Sequence, residues 1–126
     1  MTEYVCAGLY IRDNDSPMKA GDVLGGHTHN FPHATFLSRG EVQCRRWRKI
    51  VDANGVPTLD VDGNEQWLEI DNVTRVGPCF FPIEAEDKHE FTALTDDVYL
   101  YCIFTPRDPA TGTPVPDWNG WMEATL

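Results

Sequence analysis

Histidine is the residue type in this sequence whose number and spacing point most directly to chemistry. Three of the four histidines, His27, His29 and His33, lie within the seven residues 27–33. Residues two apart on a β-strand project to the same face, so we expect His27 and His29 to point together, and His33 has the same parity beyond Pro32. Neutral imidazole binds Zn, Fe, Ni, Cu and Mn. This segment therefore predicts the beginning of a metal site.

The fourth histidine, His89, is distant in the sequence and lies in a separate predicted strand. It can share an ion with the other three only if its strand lies beside theirs in space, which a small closed barrel would allow. Two other interpretations stay open at this point. The segment 27–33 could be an exposed loop that scavenges metal, and His89 could be an ordinary half-buried side chain.

The elements that must position these histidines are predicted to be strands. Nine prolines and ten glycines interrupt the chain, and no helical period persists between them. The short runs that they separate are rich in Val, Ile, Thr, Tyr, Phe and Trp, which is typical of strands, and Asn54-Gly55 is a strong hairpin signal. The predicted strands cover residues 4–12, 21–28, 33–39, 41–52, 56–61, 65–70, 77–82, 87–94 and 97–105. Many short strands with regular turns predict an all-β sandwich or barrel.

The spacing of glycines around the first histidines resembles the first motif of the cupin superfamily. Gly21 precedes His27 by five intervening residues, His29 follows with one residue between, and His33 comes after three more. Gly40 follows His33 after a further six residues. The family normally has a glutamate at the position of His33, so this chain resembles the all-histidine variant found in some small cupins.

The second cupin motif is matched more loosely. Gly77, Pro82 and His89 occur in the family's order, but the intervals differ, and Ala93 stands where the family has asparagine. The resemblance spans residues 20–105. It implies a cupin-type double-stranded β-helix, which is a jelly-roll barrel.

The resemblance also implies a ligand set and a cofactor. It implies one divalent transition metal ion, Fe, Mn, Ni, Zn or Cu, held by His27, His29, His33 and His89. Four neutral ligands leave the charge of the ion uncompensated, so such a site should be a strong Lewis acid that attracts an anionic substrate or hydroxide.

The function implied by this resemblance is metal-dependent catalysis on a small, carboxylate-bearing organic molecule. Dioxygenase-type oxidation is the first expectation, because imidazole-rich iron sites with open positions suit oxygen activation. Isomerase, lyase or hydrolytic chemistry stays open, since one fold hosts many reactions. The alternatives are a non-enzymatic cupin that binds a small ligand or sugar and whose metal is structural, and a protein that uses the barrel only as a scaffold.

Some other residues could contact a substrate. One arginine among residues 45–48, with Arg46 as the candidate, could face inward and clamp a carboxylate with two parallel hydrogen bonds. The aromatic candidates are Phe36, Phe91, Tyr99 and Tyr101. The alternative is that the arginines lie on a solvated strand face and that the aromatic side chains belong to the core.

Length and charge limit the classes of protein and partner. The 126 residues favour a single domain. The chain has 10 Lys+Arg against 20 Asp+Glu, a formal net charge of −10. A surface this acidic repels phosphate backbones and anionic lipid headgroups, so we expect no nucleic-acid partner and no membrane partner. The first residues lack the basic and apolar regions of a secretory signal, and we expect a cytoplasmic protein.

The two ends of the chain differ in character. Residues 1–105 are predicted to form the barrel with an N-terminal strand, and residues 106–126 a Pro-rich tail. The tail carries Trp118 and Trp121, two large apolar side chains that we expect to pack on the barrel or on a partner. Small cupins often dimerise, so the resemblance implies a homodimer.

The cysteines favour a reducing compartment. Cys6, Cys44, Cys79 and Cys102 are widely separated and form no Cys-x-x-Cys pair. Free cysteine behaves as a small buried apolar residue, and we expect four thiols. Two disulfides are the alternative that the even count leaves open.

Overall fold

The computed structural model describes residues 2–6, 9–28 and 32–105, which form nine strands and no helix. The strands are β1 (Thr2–Cys6), β2 (Leu9–Asp13), β3 (Val23–His27), β4 (His33–Arg39), β5 (Glu41–Lys49), β6 (Trp67–Val76), β7 (Cys79–Ile83), β8 (Lys88–Ala93) and β9 (Tyr99–Phe104). No helix in this part of the chain has the length and apolar character that a membrane span requires.

The strands form two antiparallel sheets. One sheet has the order β1-β2-β9-β4-β7 and the other the order β3-β8-β5-β6. The pairs are nested, because β5 pairs with β6, β4 with β7, β3 with β8 and β2 with β9. A long hairpin wound around a common axis produces this nesting, and it defines a jelly roll. The predicted all-β jelly-roll barrel is confirmed.

The core lies between the two sheets. Along β4, β8 and β9, buried and half-buried residues alternate, as they must when one face of a strand packs inward. The apolar residues on the inner faces pack into one cluster, in which Leu37, Val42, Phe91 and Leu100 are fully buried. Each such side chain contributes about 1.5–3 kcal/mol of transfer free energy relative to exposure.

The largest departure from the predicted strands lies between β5 and β6. Strands were predicted over residues 56–61 and 65–70, but residues 50–66 form an arm held by two isolated bridges, Val51–Pro57 and Leu59–Glu65. Asp52 and Asp60 each accept hydrogen bonds from backbone amides two and four residues later. These aspartate turns compete with strand pairing, which explains why continuous strands do not form.

The described cysteines are free thiols. Cys44 and Cys102 are buried and Cys79 is half-buried, and none of the three is in a disulfide. Two disulfides would require all four cysteines, so that alternative is excluded. The predicted tail of residues 106–126, with Trp118 and Trp121, lies outside the described residues.

Candidate functional site

The first candidate side chain, His33, lies on the inner face of the five-stranded sheet. It begins β4 directly after the exposed Pro32, and only 7% of its surface is accessible. It alternates with the half-buried Ala34, and its partner across the β4–β7 ladder is the buried Ile83. The strand period thus carries the imidazole into the space between the sheets.

His89 enters the same space from the four-stranded sheet. It is the second residue of β8 and is 1% accessible. Its Nδ1 lies 3.2 Å from the backbone carbonyl oxygen of Asp87. A carbonyl oxygen can only accept, so Nδ1 is the protonated nitrogen in this contact, and Nε2 carries the lone pair of the neutral ring.

The two buried imidazoles meet across the interior of the barrel. The ring centroids of His33 and His89 are 5.1 Å apart, and the ring planes are inclined by 59°. The rings belong to opposite sheets, so the nested strand order brings together two histidines that are distant in the sequence.

The backbone of His27 lies next to this pair. His27 is the last residue of β3 and the register partner of His89 in the β3–β8 ladder. The ladder is interrupted by a bulge between Gly25 and His27. At Gly25 the two strands approach so closely that a Cβ atom would meet the backbone of Glu90 and His89.

The side chain of His27 and the whole of His29 lie outside the described part of the chain. Among the side chains that the structure describes, no group of three or more His, Cys, Asp or Glu residues is arranged to hold a metal ion. Of the four predicted metal ligands, the structure therefore describes the side chains of His33 and His89, and the backbone of His27 adjoins them.

An ion pair supports the turn that leads into His89. Asp87 is 2% accessible. Its carboxylate accepts hydrogen bonds from Nε and Nη2 of Arg48 at 3.0 and 2.9 Å. The hydrogen bond to Asp87 raises the pKa of Arg48. Neither residue was a predicted site candidate, although the sequence shows that Asp87 lies two positions before His89.

Arg46, the predicted carboxylate clamp, shares a ladder position with His89. The two are register partners between β5 and β8, so they lie on the same face of the sheet. The guanidinium of Arg46 already has partners, since it donates to the carbonyl oxygen of Pro82 at 3.1 Å and to Oδ2 of Asp71 at 3.0 Å. A substrate carboxylate would have to share the Arg46 guanidinium with Asp71 or displace Asp71 from it. Asp71 was not among the predicted site residues.

Arg45 and Cys44, which precede Arg46 on β5, lie in different environments. Arg45 pairs with Glu69 on the exposed side of the sheet, and the hydrogen bond to Glu69 raises its pKa. Burial raises the pKa of Cys44 to about 12, which the positive charge of Arg46 offsets only in part. The Cys44 thiol is therefore protonated at physiological pH, which disfavours a role as a thiolate nucleophile.

The structure separates the four aromatic candidates. Phe91 is buried in the core and its ring is inclined by 68° to that of His89, with ring centroids 6.2 Å apart. Phe36, Tyr99 and Tyr101 alternate with buried residues of β4 and β9, so they lie on the outer face of their sheet, opposite His33. The structure does not bring these three together with the histidine pair.

Several solved structures are similar to this chain. The cupin domain of Drosophila melanogaster CENP-C is 10% identical with a TM-score of 0.46, covering 83% of this chain and 74% of that chain. CENP-C bound to CAL1 is 12% identical with a TM-score of 0.41, covering 78% of this chain, which spans only 59% of that chain. CapF of Staphylococcus aureus, a capsular polysaccharide assembling protein, is 14% identical with a TM-score of 0.46, covering 87% of this chain and 29% of that chain.

No protein-family model and no curated protein matches the chain. These identities and TM-scores are too low to assign a family, so membership of the cupin superfamily stays a prediction from the sequence motifs. The jelly roll itself is established by the nested strand pairing of this chain.

Proposed function

We propose that this protein is a metal-dependent enzyme that binds one divalent transition metal ion inside its jelly roll and acts on a small, carboxylate-bearing molecule. His33 and His89, with His27 and His29, would hold the ion. The observation that carries the proposal is the convergence of the His33 and His89 rings, which lie 5.1 Å apart in the barrel interior.

The spacing of the two rings fits a common ion. A ligand nitrogen lies about 2.0–2.1 Å from a metal such as zinc, which places the ion about 3.2 Å from the ring centroid. Two rings bound about 90–110° apart then have centroids about 4.5–5.2 Å apart. The observed separation of 5.1 Å falls within this interval.

The hydrogen bonding of His89 also fits a ligand. Metal-binding histidines usually donate the second ring N–H to a carbonyl or carboxylate, which fixes the ring orientation and makes the other nitrogen more basic. In His89 the Asp87 carbonyl oxygen accepts from Nδ1 and leaves the lone pair on Nε2. His27 supports the same site, because it occupies the ladder position opposite His89.

Arg46 is the residue through which a carboxylate would be recognised. It lies on the same sheet face as His89, and 20% of its side chain is exposed. A bound carboxylate would take the Nη2 donor that Asp71 now occupies, and the displaced Asp71 carboxylate would be available to accept a proton. The metal, when bound, would supply Lewis-acid polarisation of the substrate, and dioxygenase-type oxidation is the first reaction to test.

The metal content of native protein tests the first half of the proposal. The full chain is purified without an affinity tag or a nickel column, and its metals are measured by mass spectrometry. We expect about one transition metal ion per chain. His33→Ala and His89→Ala should each lose most of it, whereas Gln43→Ala, which removes a polar side chain from the outer face, should retain it. Native protein without metal that also fails to bind Fe, Mn, Ni, Zn or Cu would refute the site.

Substrate turnover tests the second half. Oxygen consumption by the metal-loaded protein is measured with a panel of small carboxylic acids. Arg46→Ala should raise KM for an active acid and leave the metal content unchanged, while Arg45→Ala, its outward-facing neighbour, should change neither. If KM for an active acid is the same in Arg46→Ala and Arg45→Ala, Arg46 does not bind the substrate carboxylate.

A second candidate function is non-enzymatic binding of a small ligand or sugar beside a structural metal. The pairing of Arg46 with Asp71 and with the Pro82 carbonyl oxygen favours it, since a guanidinium that is already satisfied gains less from a new carboxylate. In that case calorimetry should detect ligand binding to the metal-loaded protein without any conversion of the ligand.

A further inference from the structure

We propose that a carboxylate-bearing molecule enters the barrel from the side, between the edge strands β6 and β7, and that Arg46 controls this entrance. The line along which the two edge strands lie beside each other is called the seam below, and the contacts of Arg46 across it are called the latch. The entrance rests on the function proposed above for its substrate and its histidine pair. It adds the route by which the substrate reaches them and the group that selects it.

The seam is a side of the barrel that backbone pairing does not close. β6 is the last strand of the four-stranded sheet and β7 the last strand of the five-stranded sheet. The chain passes from one to the other through Gly77 and Pro78, but no ladder joins β6 to β7 in the described part of the chain. A side held by few backbone hydrogen bonds opens locally at a lower free energy than one held by a continuous ladder.

Arg46 links the two edge strands across the seam. Its Nη1 donates to the backbone carbonyl oxygen of Pro82, on β7, at 3.1 Å, and its Nη2 donates to Oδ2 of Asp71, on β6, at 3.0 Å. The latch lies at the surface, because 20% of the Arg46 side chain and 31% of the Asp71 side chain are exposed, and Pro82 is exposed as well. One planar group therefore holds both sheets together where solvent reaches it.

The histidine pair lies directly behind the latch. His89 is the register partner of Arg46 between β5 and β8, which places their Cβ atoms about 4.5–5.5 Å apart. In the facing sheet, His33 is the register partner of Ile83, the residue after Pro82. One layer of side chains, formed by Arg46 and Ile83, thus separates the two imidazoles from the seam. Ile83 is apolar and 2% accessible, so Arg46 is the polar member of that layer.

A carboxylate can open the latch by exchange. When an incoming carboxylate takes the Nη2 donor from Asp71, the guanidinium keeps an ionic partner throughout. The displaced Asp71 side chain is already partly exposed and becomes hydrated. A neutral molecule must break the same ion pair without replacing it. The latch therefore favours carboxylates over neutral molecules of the same shape before either reaches the histidines.

The neighbouring ion pair of Arg48 is less suited to exchange. Arg48 donates two hydrogen bonds to the carboxylate of Asp87, whose side chain is only 3% exposed. Displacement would leave a buried carboxylate without its partner, which is costly. Arg46 makes one hydrogen bond to a partly exposed carboxylate, so of the two arginines it is the one that can release its partner.

The rate at which the buried imidazoles can be modified tests the route. Diethyl pyrocarbonate transfers an ethoxycarbonyl group to an unprotonated imidazole nitrogen, with release of ethanol and carbon dioxide, and mass spectrometry gives the rate at each histidine. In the metal-free full chain, Arg46→Ala should raise the rate at His33 and His89 by about tenfold, the effect of losing one exposed ion pair and one hydrogen bond. Arg45→Ala, which removes the neighbouring exposed ion pair with Glu69, should leave the rate unchanged.

Low concentrations of urea distinguish an open seam from an unfolded chain. Global unfolding exposes a large surface, so modification that depends on it accelerates steeply with urea, whereas modification through a local opening hardly responds. The accelerated modification of Arg46→Ala should show little dependence on urea. A steep dependence would assign the acceleration to lost stability and would overturn the route.

Acetate and acetamide test the selection in the wild-type chain, so this result stands even if Arg46→Ala fails to fold. With ionic strength kept equal by sodium chloride, acetate should raise the modification rate at His33 and His89. Acetamide has nearly the same shape without the charge and should leave the rate unchanged. Acetate should have no further effect in Arg46→Ala, which has no latch to open.

Two further results would overturn the proposal. Equal modification rates in Arg46→Ala and Arg45→Ala would place the entrance elsewhere in the barrel. Equal effects of acetate and acetamide would show that the latch does not select by charge. Because the modification is measured without metal, a chain whose latch operates but which binds no metal loses the proposed function alone. A chain that binds metal but whose histidine modification ignores Arg46 loses the entrance alone.

Discussion

The guanidinium of Arg48 donates two hydrogen bonds to the carboxylate of Asp87, at 3.0 and 2.9 Å. The backbone carbonyl oxygen of the same aspartate accepts from Nδ1 of His89 at 3.2 Å. Arg48 lies on β5 and its side chain is 57% exposed, whereas that of Asp87 is 3% exposed. A surface arginine thus fixes a buried turn, and the turn fixes the orientation and the tautomer of a buried imidazole.

Loss of the Arg48 side chain should therefore disturb His89 at a distance. In metal-free Arg48→Ala we expect His89 to populate a mixture of tautomers, because the Asp87 carbonyl oxygen is no longer held against Nδ1. Nitrogen NMR of the imidazole distinguishes the two forms. The affinity for metal should fall by about 10- to 100-fold, as is usual when a group that orients a ligand is removed.

Arg48→Lys provides the control. Lysine keeps the charge but cannot form two parallel hydrogen bonds, so we expect an intermediate tautomer ratio. A single Nδ1–H tautomer in Arg48→Ala, identical to that of wild-type protein, would show that Arg48 does not position the ring. This NMR measurement does not depend on the metal, so it remains informative if the protein binds none.

Two substitutions of His33 distinguish the effect of losing a metal ligand from the effect of changing its charge. His33→Glu should retain the metal, since a carboxylate can replace the imidazole, whereas His33→Ala should lose most of it. The added negative charge should lower the Lewis acidity of the ion and weaken the binding of anions such as azide. Metal content and azide titration measure the two effects, and equal metal content in both variants would exclude His33 as a ligand.

The strands could be predicted from the sequence because their determinants are local, whereas the jelly-roll arrangement was implied by the resemblance to the cupin superfamily. Strand-forming runs between turn residues gave the positions of most strands, and β4, predicted over 33–39, has the same bounds in the structure. The arm of residues 50–66 could not be predicted in this way, because its apolar residues alternate as in a strand. Hydrogen bonds from backbone amides to Asp52 and Asp60 decide its conformation.

The site was less predictable, because it depends on pairing between distant strands. His33 and His89 could be selected by residue type, but their 5.1 Å separation follows from the nested order of the sheets. The pairing of Arg46 with Asp71 and of Arg48 with Asp87 could not be predicted, since the partners are 25 and 39 positions apart, although Asp87 lies only two positions before His89. The aromatic candidates Phe36 and Tyr101 lie away from the two histidines, because strand parity places their side chains on the outer face of the sheet.

The buried thiol of Cys44 should make the protein sensitive to alkali. Its pKa is raised by burial from 9.0 to about 12, so the unfolded chain releases this proton at lower pH than the folded chain. The contribution to stability is complete below pH 9 and is lost as the pH rises from 9 toward 12, by at most about 1.4 kcal/mol per pH unit. Denaturant unfolding at several pH values should give a shallower alkaline decline for Cys44→Ala than for wild-type protein. Cys79→Ala, at a half-buried thiol, serves as the control and should change the slope less.

Close contact between β3 and β8 should make Gly25 intolerant of any side chain. Gly25 has a φ of 149°, and a Cβ atom there would meet backbone atoms of Glu90 and His89. Gly63 also has a positive φ, 82°, but faces open space in the arm. Gly63→Ala should cost about 1–3 kcal/mol for the backbone conformation alone. Gly25→Ala should cost more, because the two strands must also separate beside His89, and denaturant unfolding of the two variants measures the difference. Equal losses in both would mean that β3 can move away from β8 freely, and the His27 position would then not be held opposite His89.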